Sequence, residues 1–131
     1  MERNVLVDSS WFISCLRRRI DPFRELEKSN FGYEFFSCGI VMTEVCRGER
    51  VRRLYEEMRS AFAVMCWVPT TEKIWSEATE LAWNLSARGI TMQLTDLVIA
   101  ASALSVDAVV LTLDTDFHQV PNLQVIDKLD E

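Results

Sequence analysis

Glycine is scarce in this chain, four among 131 residues, and neither GxGxxG nor GxxxxGKS/T occurs. Without a glycine-rich turn to bring backbone N–H groups against a pyrophosphate, the common nucleotide-cradling enzymes are excluded. Histidine is scarcer still, with His118 alone. A Ser-His-Asp or Cys-His nucleophile system would have to use it, and its place after Phe117 reads as solvent-facing instead. Cys15, Cys38, Cys46 and Cys66 form no CxxC pair, so they are expected as reduced, buried thiols and not as zinc ligands or disulfides. No run reaches the roughly 20 apolar residues of a membrane span. The N-terminus leads into a strand and not into a secretory h-region, so the expectation is a soluble, cytoplasmic protein with no membrane partner.

Excess positive charge is missing as well, with a net charge of −6. That argues against a bulk electrostatic grip on nucleic acid, though it leaves room for local basic patches. Arg17, Arg18 and Arg19, with Arg47, Arg50, Arg52 and Arg53, make up half of the 14 Lys and Arg. They read either as solvated helix faces or as two such patches.

What is present is alternation. Short apolar runs at 5–7, 35–38, 66–68, 108–111 and 124–126 read as parallel strands buried on both faces. Helical spacing lies between them, clearest over 72–88, where Ile74, Ala78, Leu81 and Leu85 fall on one stripe and Gly89 ends the run. A short helix is expected over 11–16, a charged one over 47–59, and one buried nearly all round over 97–104. Trp11, Trp67, Trp75 and Trp83 are expected in the core. There is no repeat, low-complexity tract or linker, so residues 1–131 are read as one domain. Strands alternating with helices imply a three-layer α/β/α sandwich around a parallel sheet of about five strands. Short right-handed connections favour the order 3-2-1-4-5.

Two of those strands end in acid. Asp8 follows the first, and Thr112-Leu113-Asp114-Thr115-Asp116 follows the fourth, about a hundred residues later. In the order above these are neighbours at the point where the strand order reverses, and ligands bind there in open parallel sheets. Glu44 and Asp96 lie in otherwise apolar sequence, where unpaired charge is costly. Four of these acids also have a purely structural use. Asp8 would cap a helix, Asp114 and Asp116 would shape a turn, and Asp96 would favour a helix dipole. Taken together, converging carboxylates repel one another unless a cation neutralises them. Oxygen donors with almost no His or Cys favour Mg²⁺ or Mn²⁺.

The motifs Val5-Leu6-Val7-Asp8-Ser9-Ser10, Thr43-Glu44-Val45-Cys46-Arg47-Gly48, Thr95-Asp96-Leu97-Val98-Ile99-Ala100-Ala101 and Leu111-Thr112-Leu113-Asp114-Thr115-Asp116-Phe117 resemble, in that order, those of the PIN-domain ribonucleases. The likeness is greatest to the toxin halves of VapBC-type toxin–antitoxin pairs. The resemblance implies a metal-dependent endoribonuclease in which Asp8, Glu44 and Asp96, with one or both of Asp114 and Asp116, hold Mg²⁺ or Mn²⁺. Ser10 and Thr112 would support the site. Arg17, Arg18, Arg19, Arg47 and Arg50 would contact the RNA substrate or an acidic segment of a VapB-like antitoxin. Trp11, Phe12 and Leu16 would add an apolar groove beside them, and a homodimer is expected.

Three other readings stay open. One is a PIN nuclease of RNA processing with no toxin role. Another is an Asp-based phosphotransfer domain, although Ser10 stands where a dehalogenase-like phosphatase needs its second acid. The last is a non-catalytic binding module, which would be expected to carry a broken acid set.

Overall fold

The computed structural model describes residues 3–29 and 32–129. Strand β1 (Arg3–Val7) passes from exposed to fully buried along its length, and Val5, Leu6 and Val7 are inaccessible to solvent on both faces. Consecutive burial of this kind requires cover above and below the sheet. Strand β2 (Tyr33–Ser37) pairs with β1 on one side, and β4 (Val109–Leu111) pairs with it on the other. The outer positions go to β3 (Cys66–Trp67) and β5 (Val125–Ile126). All four pairings are parallel and the order is β3-β2-β1-β4-β5. The expected sheet is therefore the observed one, with strand limits differing by no more than two residues.

Helix α1 (Ser9–Arg17) begins at once after β1, with Asp8 as its N-cap. It is longer than the 11–16 expected, because the cap recruits both serines into the first turn. Helix α2 (Pro22–Lys28) was not foreseen. Its signal is local: Asp21 accepts from the N–H groups of Phe23 and Arg24, and Pro22 opens the helix, where its missing N–H costs nothing. Helix α3 (Gly39–Cys46) follows β2.

The charged helix expected over 47–59 is instead α4 (Arg52–Ala63). Arg47 ends α3, and between the two helices Glu49 folds its carboxylate onto the N–H groups of Arg50 and Val51 at 2.8 and 3.1 Å. That turn breaks the run. Arg52 and Arg53 then pair with Glu56 and Glu57 at 3.0 Å on the exposed side of α4, contacts worth only ~0.3–0.5 kcal/mol each.

Helix α5 (Glu72–Ala87) buries Ile74, Ala78 and Leu85 as its stripe demands. It stops where Gly89 takes φ +77 and lets the Ile90 and Gly89 N–H groups return to Leu85 and Ser86 carbonyls. It packs against α6 (Leu94–Ser105), which is buried continuously from Asp96 to Ala103. A short 3₁₀ turn, Thr115–Gln119, leads from β4 toward β5.

Phe12 is fully buried, with ring centroids of Trp11, Phe23 and Phe62 at 5.7, 5.3 and 5.1 Å. Trp11 joins this cluster. The other three tryptophans do not sit in the core: Trp67, Trp75 and Trp83 are 41, 43 and 70% exposed. The reason is positional, since Trp67 ends an edge strand and the two on α5 lie off its buried stripe. Phe12→Ala is expected to destabilise the chain by ~3–5 kcal/mol. In urea unfolding this should lower the midpoint while the slope stays near the parent's.

Candidate metal centre

The site forms where β1 and β4 part. The Asp8 N–H reaches the Leu111 carbonyl at 2.9 Å, continuing the ladder one residue past β1. This places the Asp8 side chain, 2% exposed, above the carboxyl ends of both strands. Its two oxygens are treated differently. Oδ2 accepts from the hydroxyls of Ser10 at 2.7 Å and Thr112 at 2.8 Å, and from the Ser10 N–H at 3.4 Å. Oδ1 is buried with no hydrogen-bond partner, one of two such side-chain atoms among the described residues, the other being Ser37 Oγ. A buried, unpaired carboxylate oxygen is costly unless a cation meets it.

Ser10 and Thr112 both hydrogen-bond Asp8, and they also tie the acid loops together. Their hydroxyl oxygens approach to 3.0 Å. The Leu113 N–H donates to Ser10 Oγ at 3.0 Å and the Asp114 N–H to Thr112 Oγ1 at 2.9 Å. The loop after β4 is therefore fixed to the first turn of α1. Asp114 accepts from the Asp116 N–H at 2.9 Å and caps the 3₁₀ turn, so its turn-forming role is real and does not exclude a second one.

Asp96 sits in the first turn of α6 and is buried. Its carboxyl pKa is pushed up from 3.8 to about 7, first by burial and then by the charges of Asp8, Asp114, Glu44 and Asp116. All four of the other proposed acids therefore act on this one carboxyl. Carboxylate oxygens of Asp96, Asp114 and Asp116 lie within 4.8 Å of one another. Asp8 and Glu44 lie outside that group and are joined to it by charge. The five donors are all oxygens. Together with the orphaned Asp8 oxygen, they fit a hard divalent cation of the Mg²⁺ or Mn²⁺ type.

Glu44 stands late in α3, at neither a helix start nor a strand end. It reaches the site because α3 packs on α1. Ser9, which lies in the first motif but was given no role, donates its hydroxyl to Glu44 Oε1 at 3.0 Å. The signal was available in principle, as consecutive serines after a capping acid, but the partner 35 residues away was not.

His118 is exposed, as expected. The four cysteines are all free, three of them buried, and burial pushes the Cys38 thiol up beside the site. Arg17, Arg18 and Arg19 are exposed at the end of α1. Arg17 lines a cavity of about 400 Å³ with Ile13, Glu44 and Gly48, and a second of about 570 Å³ with Ser10 and Leu113. Arg47 and Arg50 are exposed on the turn between α3 and α4. The apolar groove expected from Trp11 and Phe12 is not formed by them, since both rings point into the core. Leu16 alone of the three lines one.

A central parallel sheet with acids gathered at its switch point defines an α/β protein with an acidic crevice at the carboxyl ends of its strands. Residues 5–123 match the PIN domain family model, and the chain belongs to that family. No curated protein matches the sequence. Among solved structures, the chain resembles one in the VapBC2 complex of Rickettsia felis bound to a promoter DNA fragment, with a TM-score of 0.78 at 19% identity, covering 94% of this chain and 97% of that one. VapBC-1 of nontypeable Haemophilus influenzae gives 0.78 at 20% identity over 95% and 97%. A sarcin-ricin loop cleaving VapC toxin of Mycobacterium tuberculosis gives 0.61 at 14% identity over 87% and 92%.

The raised Asp96 carboxyl sets a pH dependence. Between 3.8 and about 7 the folded chain keeps a proton that the unfolded chain has released, so stability of the metal-free protein falls as pH rises through that window. Asp96→Asn is expected to remove this decline. The variant should gain on the parent by up to ~1.4 kcal/mol per pH unit inside the window, read as chemical-denaturation midpoints at several pH values in a chelating buffer. Adding Mg²⁺ or Mn²⁺ stabilises the parent selectively. The parent should gain ~2.7 kcal/mol at a hundredfold excess over Kd, and the variant should show little of that gain.

Proposed function

We propose that the chain is a divalent-metal-dependent endoribonuclease and the toxin of a type II toxin–antitoxin pair in the cytoplasm. The observation that carries the reading is the convergence of five carboxylates, four of them charging against a buried Asp96, around an orphaned Asp8 oxygen. So much negative charge in one crevice is costly to the apo fold, and hydrolysis of a phosphodiester is chemistry that uses it. Membership of the PIN domain family, and solved relatives that include VapBC toxins and a ribosomal-RNA-loop cleaving toxin, support the same choice.

Asp8, Asp96, Asp114 and Asp116, with Glu44, would hold the metal. When bound, it would supply charge neutralisation at the scissile phosphate and Lewis acidity. The chain's own residues do the rest. The oxygens of Asp8 and Glu44 not engaged by Ser10, Thr112 and Ser9 are left without hydrogen-bond partners among the described residues, and a carboxylate of the set that does not ligate the metal would take the proton of an attacking water. Burial of Asp96 excludes bulk water from one wall. Arg17, exposed beside both Ser10 and Glu44, is placed to hold a phosphate of the strand that enters. Arg18, which lines the cavity with Ser10 and Leu113, and the exposed Arg47 and Arg50 would offset the acidic protein's repulsion of RNA.

A VapB-like antitoxin would lie in the apolar groove of about 380 Å³ lined by Leu16, Ile20, Phe23, Leu54 and Met58, with Arg19 on its rim. Leu16 and Met58 also line the cavity that reaches Glu44, so a segment occupying both would block substrate. A homodimer would use the exposed Trp75 and Trp83, eight residues apart on one side of α5.

Purified chain is expected to cleave RNA internally with Mg²⁺ or Mn²⁺ and to stop on chelation. Asp96→Asn should lose at least ~100-fold in rate. Cleavage by Asp96→Asn at the parent rate would refute the assignment. Arg17→Glu should raise KM with a smaller change in kcat. The toxin role is tested separately, by co-expression with the product of a short adjacent reading frame. That product should suppress cleavage by the parent, and Met58→Asp should escape it. A nuclease that no neighbouring product restrains belongs instead to RNA processing.

A further inference from the structure

We propose that Ser9 is a positioning residue for the metal centre, the single polar link that fixes Glu44 of α3 relative to the strand-end acids. The inference rests on the metal reading of the site given above and adds a residue to it.

Asp8 caps α1, so Ser9 and Ser10 are the first two residues of a helix and their side chains diverge by about 100° around its axis. The two hydroxyls therefore serve different acids. Ser10 turns back to Asp8 and Thr112, bracing the ends of β1 and β4. Ser9 turns toward α3 and donates to Glu44 Oε1 at 3.0 Å. Among the described residues this is the one hydrogen bond the Glu44 side chain makes.

The remaining acids are held by strand ends or short turns. Asp8 has three donors on one oxygen, Asp114 caps the 3₁₀ turn, and Asp96 is rooted in the buried start of α6. Glu44 has the longest side chain of the set and charges of its own sign around it. Left alone it would swing away from them toward solvent. The Ser9 hydroxyl, on a residue only 9% exposed, opposes that movement and leaves Oε2 without a hydrogen bond among the described residues. The same logic governs Asp8, where one oxygen is occupied by hydroxyls and the other, Oδ1, is left orphaned. One dipeptide thus presents one free oxygen from each of two acids on separate elements.

The test is Mn²⁺ binding to the RNA-free chain, followed by electron paramagnetic resonance. Ser9→Ala is expected to weaken binding by about tenfold, within the 10- to 100-fold range for residues that orient metal ligands, and to broaden the bound-Mn²⁺ signal. Ser9→Thr, which keeps the hydroxyl, should return most of the loss. Ser14→Ala, on the same helix and bonded to no acid, should bind as the parent does. In a double-mutant cycle, Ser9→Ala should add nothing once Glu44 is already Ala. Parent-like affinity in Ser9→Ala, or a Ser9→Ala loss that persists undiminished in the Glu44→Ala background, would overturn the role of Ser9 and leave the nuclease proposal standing. A parent that binds Mn²⁺ through Ser9 and Glu44 yet cleaves no RNA would support the link and refute the substrate. A parent that binds no Mn²⁺ overturns both.

Discussion

Like charge held together in a low-dielectric crevice is the constraint on which this structure turns. Asp8, Glu44, Asp96, Asp114 and Asp116 come from five separate points on the chain and share one end of the sheet. Burial, and after it their mutual repulsion, pushes the Asp96 carboxyl up to about 7. A fold selected for stability alone would disperse them. This one braces them instead, with hydroxyls that carry no charge and so add no repulsion of their own. Thr112 and Ser10 hold Asp8, and Ser9 holds Glu44.

The cover around the crevice makes that bracing possible. β1 and α6 are buried nearly without interruption, and the Phe12, Phe23 and Phe62 cluster supports α1 from below. Helix α1 is consequently rigid at both ends of its task. Its first turn orients acids and its last turn, with Arg17, presents positive charge where a helix C-terminus favours it. Acid and base thus sit at opposite ends of the same short helix, separated enough that no salt bridge forms between them among the described residues.

Much of this was legible beforehand. The five apolar runs gave five strands because strands buried on both faces need no polar alternation. The stripe Ile74, Ala78, Leu81, Leu85 with Gly89 marked α5 because a helix buries one face and ends on a left-handed residue. The expectation failed where context overrode composition. Trp67, Trp75 and Trp83 are large and apolar, yet an edge strand and the outer face of a helix leave them in solvent. The basic run from Arg47 to Arg53 looked like one helix, yet the Glu49 carboxylate caps a turn within it and Arg52 and Arg53 spend their charge on Glu56 and Glu57.

Sequence by itself determined the sheet order and the two strand ends that carry acid, because periodicity, chain connectivity and side-chain chemistry are local or nearly so. Tertiary structure decided which oxygen of Asp8 is free, that Asp96 bears the cluster's repulsion, and that Glu44 enters the site from the middle of a helix. It also decided that Ser9 meets Glu44, and that Trp11 and Phe12 fill the core and line no groove. Each of these depends on a distance between atoms far apart in the chain. Such distances are set by how helices pack on a sheet, and no pattern in a single sequence encodes them.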